Sequence, residues 1–110
     1  MGKFVKGDMV IAPFPYSDLT TSKKRPALVI VPLEGEDVIL CQITSQMKKD
    51  DYSISLQNAD FQSGPLHQNS FVRPNRLLTA DARIVLYKAG DVKKSKMDEV
   101  VDKIIAMIKT

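Results

Sequence analysis

The stretch Arg25-Pro26-Ala27-Leu28-Val29-Ile30-Val31, followed by the turn Glu34-Gly35-Glu36-Asp37 and by Val38-Ile39-Leu40-Cys41-Gln42-Ile43-Thr44-Ser45, decides the fold. Two continuous runs of β-branched and aliphatic residues flank a glycine-bearing acidic turn, the pattern of a β-hairpin. Because the turn joins the end of the first run to the start of the second, Arg25 and Thr44 fall at the same open end. A phosphate there would lie between a planar cation and a hydroxyl donor, an arrangement that points to phosphodiester chemistry.

Upstream, Gly7-Asp8 leads into a short strand, Met9 to Pro13, which the Pro13/Pro15 pair closes because proline has no amide proton for a ladder. Tyr16 to Lys24 has no apolar period and is rich in Ser, Thr, Asp and Lys; it reads as a mobile loop. Downstream, Tyr52-Ser53-Ile54-Ser55-Leu56 alternates like a half-buried strand, and Gly64-Pro65 marks a stop. Ser70 to Arg73 and Arg76 to Thr79 read as short strands broken by Pro74, and Ile84 to Lys88 as the last strand. Some six brief strands predict a small barrel. Met97, Val100, Val101, Ile104, Ile105 and Ile108 then recur at helical spacing, with Ser95 and Asp98 placed as a capping box. That stripe predicts an amphipathic helix lying on the barrel, with part of it available to a second protomer. The fold class is mainly β, of the α+β kind.

A chain of 110 residues is long enough for one domain with a core of its own and too short for two, so residues 1–110 are read as a single domain. Apolar residues at 44% and charged residues at 26% argue against disorder. The net charge of +3 is compatible with a polyanionic partner but does not select one. Cys41 is the lone cysteine, so an internal disulfide is excluded, and with only His67 beside it no Cys/His metal cluster can form. A reduced protein with neither metal nor cofactor is expected, in which Cys41, inside an apolar run, is a small buried hydrophobe without chemistry. No basic-then-apolar leader occupies Met1 to Val10, and no apolar run approaches the roughly 20 residues of a membrane span, so the expected location is the cytoplasm, with no membrane partner.

Five pieces in order carry a resemblance: Gly7-Asp8-Met9-Val10-Ile11, Phe14-Pro15, Lys24-Arg25-Pro26-Ala27-Leu28-Val29, Gln42-Ile43-Thr44-Ser45 and Ser70-Phe71-Val72-Arg73-Pro74. Together they resemble the PemK/MazF family of toxins from bacterial and archaeal toxin–antitoxin modules, over nearly the whole chain. Any one piece is weak; their order and spacing, followed by an amphipathic helix, make the signal specific. The resemblance implies a homodimer of SH3-like barrels that cleaves single-stranded RNA at short sequences without a metal ion. It also implies a cognate antitoxin that inserts a segment into the RNA groove, with operator DNA met only through the antitoxin complex. Arg25 and Thr44 match the family positions most tied to activity, and Arg73 matches the arginine of a Val-Arg step.

Metal-free RNA cleavage uses the neighbouring 2′-hydroxyl as nucleophile. It requires proton removal there, charge stabilisation at phosphorus and protonation of the departing 5′ oxygen, and leaves a 2′,3′-cyclic phosphate and a 5′-hydroxyl. Arg25 suits the charge-stabilising task, Thr44 can donate to the same phosphate, and Arg73 would assist. Two departures from the family bear on the base. Some members carry an acidic residue where this chain has Asn75, whose amide takes no proton near neutrality, and the loop Asp18-Leu19-Thr20-Thr21-Ser22 differs from the Gly-Ser/His-Glu-Gln type. The proton acceptor is therefore a guanidinium in an unusual setting, a relaying water, or no dedicated group at all, with positioning and charge supplying the rate. His67 carries the one imidazole and is a candidate acid or base, against its plain reading as a surface loop histidine.

For RNA contacts, Lys23, Lys24, Lys48 and Lys49 can form a cationic groove, Phe14 and Tyr16 offer flat faces for splayed bases, and Ser22, Ser45 and Asn75 offer hydrogen bonds. The plainer readings are a core aromatic for Phe14 and solvated charges for the lysines. Two other functions stay open: a non-catalytic barrel that binds a protein such as DNA gyrase, and a degenerate toxin that binds RNA and antitoxin without cutting.

Overall fold

The computed structural model describes residues 4–15, 22–46, 51–64 and 69–110. Seven strands, β1 (Asp8–Pro15), β2 (Ser22–Pro32), β3 (Asp37–Thr44), β4 (Ile54–Leu56), β5 (Phe61–Ser63), β6 (Ser70–Asp81) and β7 (Tyr87–Val92), precede one helix, α1 (Lys94–Lys109). They form one antiparallel sheet in the order β4-β6-β3-β2-β1-β7-β5, which curls into a half-barrel with α1 packed against it.

The expected hairpin is β2–β3, and its apolar runs are continuous because both faces of the central strands are covered. Met9, Leu28, Ile30, Cys41, Ile43 and Val72 point to one side, where Met97, Val100 and Ile104 of α1 complete a core with Leu56 and Phe61. Val10, Ala12, Ala27, Val29, Val38 and Leu40 point to the other, under Ala80 and Val85. Alternation along β1 and β3, and along β2 up to the register shift between Val29 and Val31, thus assigns the residues to two faces; past that shift Ile30 and Val31 share the helix side.

Several expected boundaries are corrected. β1 does not stop at Pro13 but runs through both prolines, pairing Pro13 with Lys24 and Pro15 with Ser22. Consequently Ser22 to Lys24, expected in a loop, are strand, while Tyr16 to Thr21 lie outside the described residues. The prolines cost little because β7 leaves β1 after Ile11, so β1 has a neighbour on one side only beyond that point. Pro26, Pro13 and Pro15 also share one parity of the β1–β2 ladder. The Ile11 carbonyl accepts from Leu86 N–H at 2.8 Å on the far side, so the Ile11/Pro26 pair is one that exchanges no hydrogen bonds, and the missing donors fall where none is needed.

Likewise β6 is not broken at Pro74. The β3–β6 register jumps from Gln42/Arg73 to Cys41/Leu77, so Pro74, Asn75 and Arg76 bulge out of a continuous strand and Pro74 owes the ladder no proton. The last strand is Tyr87–Val92 rather than Ile84 to Lys88, because Ala82–Ile84 closes into a 3-10 turn capped by Asp81, whose carboxylate accepts from Arg83 N–H at 2.8 Å. β5, which the sequence did not signal, crosses β7 so tightly that a Cβ on Gly64 (φ +95°) would stand 2.5 Å from the Ala89 carbonyl oxygen.

The helix also differs at both ends. Its N-cap is Lys93, with Ser95 already inside the first turn and Asp98 paired to Lys94 at 3.1 Å, so the expected capping box is absent. Of the stripe, Met97, Val100 and Ile104 are buried and Val101 packs against the same core, but Ile105 and Ile108 are exposed, so the expected apolar face is wider than the one the sheet covers. Lys96 fixes the other end, donating to the Ser55 carbonyl and to Glu99 at 2.9 Å each. Among the described residues no helix is long and apolar enough to cross a membrane.

Candidate active site

The β2–β3 ladder ends at the Ala27/Gln42 pair, so Arg25 and Thr44 each lie two residues beyond its last pair, at the same end of the two strands. On the other side of β3, Gln42 pairs with Arg73 and Thr44 with Phe71. Alternation fixes the faces. Ala27 and Leu40 belong to the core on the side away from α1, so Arg25, Gln42 and Thr44 lie on that side, and Arg73, across from Gln42, joins them. Side chains directly opposite one another on adjacent strands stand about 5 Å apart at Cβ. Three neighbouring strands, β2, β3 and β6, therefore bring Arg25, Thr44 and Arg73 to one end of one face.

The setting of each group bears on its chemistry. Thr44 and Arg73 are only 8% exposed each, and the Nε atoms of Arg25 and Arg73 are both closed off from solvent. Both arginines are held by contacts within the fold. Thr44 Oγ1 accepts from the Gln46 N–H at 3.1 Å, which orients the oxygen and leaves the hydroxyl proton as the donor. The segments that meet here, residues 12–15, 22–27, 42–46 and 70–76, contain no Asp, Glu or His. The cations of this face therefore share their strand ends with no acidic residue.

Behind this face, on the helix side, the Cys41 thiol donates to the Arg73 carbonyl at 2.9 Å. The bond sits at the register jump, where that carbonyl has left the ladder, so the thiol ties down the bulge beside Arg73. Burial, opposed in part by this hydrogen bond and by the Arg73 charge, pushes the thiol up to about 12 from 9.0. Cys41 is therefore neither nucleophile nor base near neutrality, as its plain reading implied. Iodoacetamide at pH 8 should leave the native thiol unmodified over a period in which the urea-unfolded chain is fully alkylated, as mass spectrometry would show. Equal modification of both states would contradict the burial. The sign with pH follows: because the folded value is the raised one, the thiol's contribution is intact below about pH 9 and is lost as pH rises towards 12.

Of the other expected contacts, Lys24 and Ser45 are exposed at the same end, and Asn75 is exposed in the β6 bulge. Phe14, Lys23 and Ser22 occupy the β1–β2 ladder, Phe14 paired with Lys23 and Pro15 with Ser22. Tyr16, Lys48, Lys49 and His67 lie outside the described residues. Gln42 shares the face with Thr44, a placement that the two-residue spacing already carried. The Cys41–Arg73 bond had no sequence signal, because it depends on the bulge.

A family model described as PemK-like, MazF-like toxin of type II toxin-antitoxin system matches residues 5–108. Comparison with curated proteins gives no significant match. Among solved structures, the MazE–MazF complex from Deinococcus radiodurans (Form-II) is similar to the chain at a TM-score of 0.75 and 20% identity, covering 100% of this chain and 99% of that one. An endoribonuclease in complex with its cognate antitoxin from a mycobacterial species reaches 0.75 at 14% identity, covering 96% and 95%. The Mycobacterium tuberculosis toxin MazF-mt6 reaches 0.73 at 17%, covering 93% and 96%. At such identities these likenesses establish a shared fold.

Proposed function

Because the chain belongs to the PemK-like, MazF-like toxins of type II toxin–antitoxin systems, we propose that it is a metal-independent endoribonuclease. Its substrate is single-stranded RNA in the cytoplasm, cut at short sequences, and a cognate antitoxin holds it in check by covering the same face. The observation that supports this reading is the register that ends β2 and β3 at the Ala27/Gln42 pair, two residues short of Arg25 and Thr44, with Arg73 across from Gln42 on β6. Solved structures described as an endoribonuclease with its cognate antitoxin and as MazE–MazF support both the activity and the partner.

In this proposal the tasks divide as follows. The Arg25 fork takes two non-bridging oxygens of the scissile phosphate as charge accumulates on them, and Thr44 donates its hydroxyl proton to the same group. Arg73, nearly buried, supplies fixed charge from the far side. Since the strand ends carry no Asp, Glu or His, proton removal from the 2′-hydroxyl falls to water or to His67, and the strands contribute position and charge. Lys24 and Ser45, exposed at the rim, meet flanking phosphates, and a homodimer would extend the positive groove across both protomers. Operator DNA enters only through the antitoxin complex.

Incubating the purified protein with single-stranded RNA and excess EDTA should yield fragments with 5′-hydroxyl and 2′,3′-cyclic phosphate ends. Intact RNA with no measurable binding would overturn the proposal. Tight binding without turnover would support the second reading that the base-free strand ends favour, a toxin that holds RNA and antitoxin without cutting.

A further inference from the structure

Gln42 is the one side chain on the site face between the three proposed groups that has no task in the chemistry above. It is the hub of the register: Ala27 on one side, Arg73 on the other, and Thr44 two residues along the same strand. Its side chain is half-buried and makes no hydrogen bond among the described residues, although the other polar groups nearby are held: Thr44 by Gln46, Arg73 by its contacts. Neither of its amide atoms is closed off from solvent. On the β2 side its cross-strand neighbour is Ala27, a short side chain that is itself fully buried in the core of this face, so Gln42 marks where that core gives way to solvent.

A carboxamide is badly suited to the phosphate that Arg25 and Thr44 would hold. Phosphate oxygens accept only, and two guanidinium groups and a hydroxyl already present donors to them. The distinctive property of the amide is a donor and an acceptor side by side, which matches the paired donor and acceptor on the edge of a nucleobase. Nucleotides flanking a phosphate held at Arg25 and Thr44 are covalently tied to it, so a base of one of them laid over β3 would come within reach of Gln42, two residues from Thr44 on the same strand. A side chain on a central strand flanked by two others is also a stiffer reader than one on a loop.

We infer that Gln42 is a specificity-determining residue whose carboxamide hydrogen-bonds to the edge of a base flanking the scissile phosphate. The inference rests on the RNA-cleaving reading above. It assigns part of the sequence choice to the floor of the groove, on β3, rather than to the loops around it.

The test is to digest an RNA pool of randomised sequence with the wild type, Gln42→Ala and Gln42→Met, then map the cut positions by sequencing fragment ends. Methionine keeps the length and volume of the side chain without its hydrogen bonds, so it serves if the alanine variant is poorly folded by thermal melting. Both variants should relax the base preference at one position next to the cut by roughly tenfold to a hundredfold, the discrimination carried by one bidentate amide contact. Preference at the other positions should be retained. A cut-site profile in a folded variant that is indistinguishable from wild type would overturn the role of Gln42 while leaving the nuclease reading intact. Failure of the wild type itself to cut any RNA in the pool would instead remove the nuclease reading.

Discussion

Arg25→Ala should lower the rate of RNA cleavage by about tenfold to a thousandfold, the range expected when one preorganised donor to a developing oxyanion is lost. The loss should fall on turnover more than on RNA affinity, because in the proposed site Lys24, Arg73 and the remaining cations would still meet the phosphate backbone, whereas Arg25 alone of them is assigned to grip the scissile phosphate with Thr44. Arg25→Lys sharpens the argument. It keeps the charge but replaces a planar fork by a single ammonium point, so it should recover RNA binding almost fully and turnover only in part. Because Arg25 lies at the ladder's open end, beyond the last β2–β3 pair, neither variant removes a core residue, and the thermal midpoint serves as the control. Single-turnover cleavage of a short labelled RNA would measure both quantities. Wild-type turnover in Arg25→Ala would take this residue out of the mechanism.

The same comparison shows what the sequence reveals and what it hides. The β2–β3 hairpin is legible because two apolar runs flank a glycine turn, and antiparallel pairing alone then puts Arg25 and Thr44 at the same open end, two residues beyond the last Ala27/Gln42 pair. Helix α1 is legible from its period, but its cap is not: Ser95 and Asp98 have the capping spacing, yet the chain enters the helix at Lys93, where Lys93 N–H donates to the Asp60 carbonyl at 2.8 Å. That bond is tertiary, and no local pattern carries it. Proline misled at three places for one reason. Pro13, Pro15 and Pro74 have the look of strand breakers, but each occupies a position from which the ladder asks no donor, a bulge for Pro74 and an unpaired flank for the other two. The position of Arg73 depends on that bulge. Its charge and its Val-Arg context were visible, whereas its burial and its alignment with Gln42 follow from a three-residue register jump that only the assembled sheet fixes.

Thr44 offers the sharper separation of chemistry from scaffold. Thr44→Val is close to isosteric and keeps the β-branch that suits a strand end, so the sheet should persist with a modest loss of stability, about 1 kcal/mol for the hydrogen bond from Gln46 that disappears. The variant also removes the only proton that Thr44 can donate, and cleavage should fall by about a hundredfold or more. Thr44→Ser restores both the acceptor for Gln46 and the donor towards the phosphate. It should therefore return most of the turnover, despite a freer side chain at a position only 8% exposed. If Thr44 served only to close the turn at the end of β3, the valine variant would show a lowered thermal midpoint with unchanged turnover at temperatures where it is folded. The proposal demands the opposite pattern, turnover lost at a temperature where circular dichroism and melting report an intact fold. Because Arg25 and Thr44 would grip one phosphate, the double variant Arg25→Ala/Thr44→Val should be far less impaired than the product of the two single losses. Strict multiplication of the two effects would mean that the groups act at separate places, and the shared site would then have to be abandoned.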